Sequence, residues 1–364
     1  MEYVQERIAT LHDLTGHVPD APLERTAVVV PMTEREYATL AAERVLSELE
    51  GLDPGTVIVP LRASADRVPA FAEWLESFEL DLEMLWCSGE RVQALLDEHG
   101  LNGSAGKGRD VWLALGIAAE EQPYIVCHDS DTRSYTGEFV TRLLAPLDRG
   151  FDFTKGYYAR VEEGRLYGRL FRLFYTPLVT ALRDRTDGPI LEYLAAFRYA
   201  LAGEFAGTRE LIRQFNVERR FGLEVGILGD AFGTAGFEGT AQVDLGRYEH
   251  DHRAVGGPTG LSEMSEDVGA AILRIVEANG IDPDYSTLPE AYEQVATDYI
   301  DRYAADAWFN RLEYDVDAER EQVDTYTDAI RPPETDDRLP SWETASMTPA
   351  AVRTAAREDV DALP

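Results

Sequence analysis

Two aspartates separated by one serine, Asp129-Ser130-Asp131, follow directly on the apolar run Tyr124 to Cys127 and on His128. A short β-branched run closing on this pair places it at the carboxyl end of a buried strand, where ligands bind in open α/β sheets. Hard oxygen ligands at that point suit Mg2+ or Mn2+ holding a phosphate, so the expected chemistry is a metal-held diphosphate. Three further Asp-x-Asp pairs occur, Asp282/Asp284, Asp315/Asp317 and Asp359/Asp361. None closes an apolar strand, and each reads as solvated surface.

Other residues carry chemistry of the same kind. The chain has only two lysines, Lys107 and Lys155, against 32 arginines. Lys107 sits in the glycine-rich loop Asn102 to Asp110 (NGSAGKGRD), just before a helix expected from Val111 to Glu120. The loop lacks the spacing of a P-loop or a dinucleotide fingerprint, but a lysine between glycines at a helix start offers an anion both backbone N–H groups and a point charge. Glu224 lies within the apolar helical segment Phe221 to Gly229, where a carboxylate needs a partner or a task. His250-Asp251-His252 closes a strand-like alternation, Gly239 to Glu249, and His250 offers an imidazole to an oxygen-rich metal site. Arg165 opens an amphipathic helix expected over Gly164 to Asp184, with Arg169 one turn later, and is the expected anion contact there.

Alternating strands and helices position these groups. Strands are expected at Thr26 to Pro31, Thr56 to Leu61, Leu82 to Cys87, Tyr124 to Cys127, Phe151 to Val161 and Gly239 to Glu249, with helices at Glu34 to Glu50, Asp66 to Phe78, Ser88 to His99 and Gly137 to Leu147. That order predicts an α/β fold with a mostly parallel sheet. Ala202 to Arg209 reads as a tight glycine-rich segment, Leu261 to Leu312 as helical, and residues 1–25 as an amphipathic lead-in. The organisation expected is two α/β halves at 26–135 and 136–255, a helical segment at 256–333 and a mobile acidic tail at 334–364.

A chain of 364 residues with 45% apolar content can bury a sizeable core. Its net charge of −33 is spread along the chain and reads as a surface adapted to high salt. So acidic a protein is not expected to bind nucleic acid or an anionic membrane, since a partner of polyphosphate must bring positive charge. Cys87 and Cys127 sit in or beside apolar runs and read as buried thiols. No secretory or membrane-spanning run is visible, so a cytoplasmic protein is expected.

Taken in order, Pro31, Gly106-Lys107-Gly108, Asp129-Ser130-Asp131, Gly203-Glu204, Thr208-Arg209-Glu210, Glu224 and His250 resemble the retaining glycosyltransferases that make glucosyl-3-phosphoglycerate, close to the mannosylglycerate synthases. The resemblance covers about residues 26 to 280. It implies a GT-A fold, Rossmann-like and mostly parallel, with a helical C-terminal extension, and a homodimer. It implies that the loop of Pro31, Thr33 and Glu34 cradles the nucleotide base and that Lys107, Asp129 and Ser130 contact the donor. Asp131, also beside the donor, and His250 are implied as ligands of Mg2+ or Mn2+, with Glu224 beside the anomeric carbon and Gly164, Arg165 and Tyr167 receiving a small anionic acceptor, 3-phosphoglycerate or glycerate. The donor would be a nucleotide-diphosphate glucose or mannose. Attack by a carboxylate nucleophile and same-face attack by the acceptor hydroxyl both stay open. Departures from the family pattern fall at Leu61-Arg62, where an aspartate serves the base, at Met32-Thr33-Glu34-Arg35, at Tyr167 in place of a threonine, and at Ala200 to Glu204. Two rivals are an Asp-x-Asp-x-Thr phosphatase, disfavoured by Arg133, and a non-catalytic nucleotide-sugar-binding protein of the same fold.

Overall fold

The structure, a computed structural model, describes residues 4–251, 258–334 and 336–363. The N-terminal part runs β1 (Ala9–Leu11), β2 (Thr26–Val29), β3 (Met32–Thr33), α1 (Leu40–Leu52), β4 (Thr56–Arg62), α2 (Val68–Leu75), β5 (Leu82–Trp86), α3 (Glu90–Glu98), α4 (Lys107–Glu121) and β6 (Tyr124–Cys127). There follow α5 (Glu138–Asp148), β7 (Phe153–Ala159), the short pair β8 (Val161–Glu162) and β9 (Arg165–Leu166), α6 (Thr176–Arg183), α7 (Pro189–Ala195), β10 (Phe205–Thr208), α8 (Arg209–Ile212), α9 (Leu223–Thr234) and β11 (Thr240–Arg247). The chain closes with α10 (Pro258–Ala278), α11 (Leu288–Asn310), α12 (Val316–Thr327) and α13 (Pro349–Asp361).

Nine strands form one sheet in the order β1-β11-β7-β10-β6-β2-β4-β3, with β5 also paired to β4. Every pairing in it is parallel except those of β10, which runs antiparallel to both β6 and β7. Successive side chains alternate between two apolar layers, as the two-residue period of a strand requires. Ala27 and Val29 of β2 and Ile125 and Cys127 of β6 enter one layer, while Val28 and Val126 enter the other with α1, α2 and α5. Both faces are covered, which is why these strands read as continuous apolar runs.

Four expectations need correction. Residues 1–25 are no mere lead-in: Ala9 to Leu11 form an edge strand parallel to Ala241 to Val243. The glycine-rich Ala202 to Arg209 segment contains β10, a central strand. Gly164 to Asp184 is not one helix from its start, because Arg165 lies in β9, a π-helical turn covers Leu170–Tyr175, and the α-helix begins at Thr176.

The fourth correction concerns the expected mobile tail, which is an ordered part of the core. Trp342 stacks on Trp112 with ring centroids 4.1 Å apart, and its indole N–H donates to the Trp112 carbonyl. A Cβ on Gly116 would overlap the Trp342 ring, so the helix backbone has to be bare there. Asp359, expected as solvated surface, is buried and accepts hydrogen bonds from the backbone N–H groups of Arg91 and Val92. It neutralises the positive end of α3, which has no capping side chain of its own.

Candidate active site

The strand ends carry the site. A cleft of about 860 Å3 opens beyond the carboxyl ends of β2 and β6, within the range of small-ligand sites. Pro31, Thr33, Lys107, Asp129, Ser130, Asp131, Arg165, Tyr167, Glu224 and His250 all line it. Glu34 and Gly164, also expected there, fall outside the lining. The Glu34 carboxylate accepts hydrogen bonds from Ser64, and Glu36 takes its place in the cleft by closing a capping box with Thr33.

Lys107 is the first residue of α4, after extended Gly106. Its neighbour Gly108 packs so tightly that a Cβ would overlap the Glu218 carbonyl, and the Arg109 N–H donates to the Arg219 carbonyl. The loop is therefore held rigidly rather than flexing. Lys107 Nζ lies 2.6 Å from Asp129 Oδ1 and 2.8 Å from Glu224 Oε1, so a cation bridges two of the expected carboxylates. Burial opposes the Lys107 charge, but Asp129 and Glu224 outweigh it and hold the ammonium well above its ordinary pKa. Burial likewise pushes Asp129 up, and Lys107 overrides it, keeping that carboxyl below the usual range. The partner that Glu224 needed is Lys107. The second lysine, Lys155, is wholly buried below, pushed down to about 8 by desolvation, with its Nζ 3.4 Å from the Glu224 carbonyl.

Asp131 and His250 meet across two strand ends. Thr132 and His250 form an antiparallel bridge, and the Asp251 N–H donates to the Asp131 carbonyl at 2.7 Å. This brings His250 Nε2 to 2.8 Å from Asp131 Oδ2. Burial works against a charged His250, but hydrogen bonding to Asp131 overrides it and raises the imidazole pKa. Asp131 Oδ1 is buried without a hydrogen-bond donor. A buried carboxylate oxygen with no donor, beside an imidazole, fits a divalent cation. Among the described residues no group of three or more His, Cys, Asp or Glu is arranged as a metal cage, so the other ligands would come from phosphate or water. His252 lies outside the described residues. Ser130 Oγ donates to the Pro31 carbonyl and ties the two strand-end loops together.

Two residues at the site were missed, one buried near Asp129 and one in the cleft lining. Glu204 is fully buried, and neither of its oxygens makes a well-formed hydrogen bond; desolvation, then the nearby Asp129 carboxylate, pushes it up to about 7. Its signal was the adjacent glycine, since a Cβ on Gly203 would sit 2.5 Å from Asp129 Oδ2. Arg160, just beyond β7, lines the cleft. One arginine among 32 gives no signal in the sequence.

A mostly parallel sheet with an Asp–His pair and a lysine-bridged pair of carboxylates in a cleft beyond its strand ends defines an α/β protein that takes its ligand at the carboxyl edge of the sheet. No protein-family model matches the chain. It is 32% identical over 95% of its length to a glucosyl-3-phosphoglycerate synthase from Methanococcoides burtonii, covering 94% of that protein, and 34% identical over 84% to one from Persephonella marina, covering 80%. The chain belongs to the glucosyl-3-phosphoglycerate synthase family. Among solved structures, it resembles the Mycobacterium tuberculosis synthase in complex with Mg2+ and uridine diphosphate, at 27% identity and a TM-score of 0.56 over 76% of this chain and 88% of that one. The same synthase in complex with Mn2+, uridine diphosphate and phosphoglyceric acid aligns with a TM-score of 0.55, again over 76% and 88%.

Proposed function

We propose that this protein transfers glucose from a nucleotide-diphosphate donor to 3-phosphoglycerate, with retention at the anomeric carbon and with Mg2+ or Mn2+ required. The observation that carries this is the convergence in one cleft of the Asp131–His250 pair with the Lys107–Asp129–Glu224 cluster. The relatives named for this reaction and solved with these ligands support it.

Asp131 and His250 would hold the divalent ion, which when bound supplies neutralising charge to the departing diphosphate. The chain's own residues do the rest. Lys107, fixed at a helix start, holds Asp129 and Glu224 in place and offers further N–H donors toward an anion. Glu224 stands at the first turn of α9 with one oxygen on Lys107, so its other oxygen is available to hydrogen-bond the transferred sugar. Thr33 and Pro31 border the donor end, and Arg62, 3.3 Å from Asp110, stands beside them. Tyr167, which also lines the cleft, would contact the acceptor.

The finer readings belong to this proposal too. A cytoplasmic protein follows from a reaction between a nucleotide sugar and a phosphorylated three-carbon acid. The widely spread acidic charge supports work in high salt. Trp308 and Phe309, largely exposed at the end of α11, support a homodimer. The test is a panel of nucleotide sugars and acceptors in molar KCl with Mg2+ or Mn2+. Glucosyl-3-phosphoglycerate is the expected product, chelation should abolish its formation, and Asp131→Ala should abolish divalent-dependent turnover while leaving thermal unfolding near that of wild type. Absence of product from every donor with 3-phosphoglycerate would refute the proposal.

A further inference from the structure

Several arginines line the cleft, and most of them already have anions. Arg62 faces Asp110 at 3.3 Å, and Arg169 meets Glu319 at 2.8 Å. Arg165, the expected acceptor contact, is about two-thirds exposed and lies 2.7 Å from Glu313. A pair that exposed is worth little either way, and a guanidinium already on Glu313 through both Nε and Nη2 has to give up that partner to take another anion. Arg35 is exposed on the loop that follows Pro31.

Arg160 differs from all of these. Its side chain is about one-fifth exposed, toward the cleft. Its Nε is buried with no acceptor, and its nearest carboxylate, Glu162, is at 4.0 Å. That Glu162 oxygen already accepts the His250 backbone N–H at 3.0 Å. What surrounds the guanidinium instead is aromatic: it lies 5.9 Å from the Tyr248 ring centroid, and Tyr199 lines the cleft beside it. The Tyr167 N–H bonds to the Arg160 carbonyl at 2.9 Å, fixing the residue to the loop that carries Tyr167. Gly168 in that loop, at φ +79°, leaves room for the Tyr199 hydroxyl, which a Cβ there would approach to 3.0 Å. Taking a guanidinium out of water without a close carboxylate is costly, and an incoming oxyanion would offset that cost.

We propose that Arg160 is the residue that binds the acidic group of the acceptor, its planar N–H donors gripping a phosphate or carboxylate oxygen between His250 and Tyr167. This rests on the reading of the acceptor as a small phosphorylated acid. Arg160 offers N–H donors with no close carboxylate, where Arg165 is already paired with Glu313. Its tyrosine walls lower the local dielectric and so strengthen the contact.

The test begins with wild type, whose turnover of 3-phosphoglycerate, glycerate and glycerol 3-phosphate establishes whether the acceptor reading holds at all. Given turnover, Arg160→Gln should raise the KM for 3-phosphoglycerate by about 10- to 100-fold, the loss expected for a charge-assisted hydrogen bond. The donor KM and the slow hydrolysis of donor without acceptor should stay within about twofold of wild type, since no donor contact is removed. Arg160→Lys should recover part of the loss and guards against a misfolded Gln variant. A defect with both phosphorylated acceptors but not glycerate assigns the phosphate, and a defect with both carboxylic acids but not glycerol 3-phosphate assigns the carboxylate; either supports the proposal. Unchanged acceptor KM in Arg160→Gln, or a donor KM that rises in step, would overturn it.

Discussion

At the scale of single residues, the site is a balance of buried charge in which Glu204, buried near Asp129 and outside the cleft lining, has no salt-bridge partner among the described residues. Its carboxyl is pushed up to about 7 from an ordinary 4.5 by desolvation and then by Asp129, with Lys107 only partly offsetting them. The sign of the consequence follows from proton counts. Between pH 4.5 and 7 the folded protein keeps a proton that the unfolded chain releases, so stability falls as pH rises through that window. Glu204→Gln removes the titrating group, and the ligand-free variant should unfold at nearly the wild-type temperature at pH 5 but at a higher one at pH 8. The full shift is worth about 3 kcal/mol. Thermal unfolding in molar KCl at both pH values measures it, and an equal difference between the two proteins at both pH values would show that Glu204 does not titrate there. In the sequence, Asp131, His250, Lys107 and Glu224 stand out because each is rare in its setting, and the fold brings the four into one cleft. Arg160 and Glu204 do not, because their significance is a missing partner, and only three-dimensional neighbours define that.

At the scale of elements, the legible pieces are those whose own side chains announce them. β2, β4 and β6 are apolar and β-branched because both of their faces are covered. β10 is held by strands on both sides, and Phe-Ala-Gly-Thr carries almost no alternation of its own. The last thirty residues are acidic and proline-containing, a composition that reads as disordered, yet a few contacts hold them: Trp342 on Trp112, and Asp359 at the start of α3. Such contacts join positions far apart in the chain, and no local window contains them. Trp342→Ala should cost about 3 to 5 kcal/mol by opening a cavity against Gly116, and Asp359→Ala about 1 kcal/mol by uncapping α3. Urea titrations followed by circular dichroism check both. A Trp342→Ala midpoint equal to wild type would mean that the C-terminal segment is detached in solution.

At the scale of the whole molecule, the net charge of −33 sets the conditions under which the fold holds. Self-repulsion among spread carboxylates opposes the compact state and is screened over about 10 Å at 0.1 M salt and 3 Å at 1 M. The melting temperature should therefore rise steeply as KCl goes from millimolar to molar. A matching series in a neutral osmolyte of equal osmolality should raise it far less, and equal rises would point to solvent exclusion rather than screening.

The reversed strand at the centre of the sheet also sets a timetable for synthesis. Val126 and its neighbours gain β2 as a partner early, but their other edge stays open until Phe205 to Thr208 have left the ribosome, and Ala9 waits for Ala241. At about 5 to 20 residues per second these intervals are on the order of ten seconds. Throughout that time a growing chain displays a bare, apolar strand edge, the feature most apt to pair with a neighbouring copy on the same message.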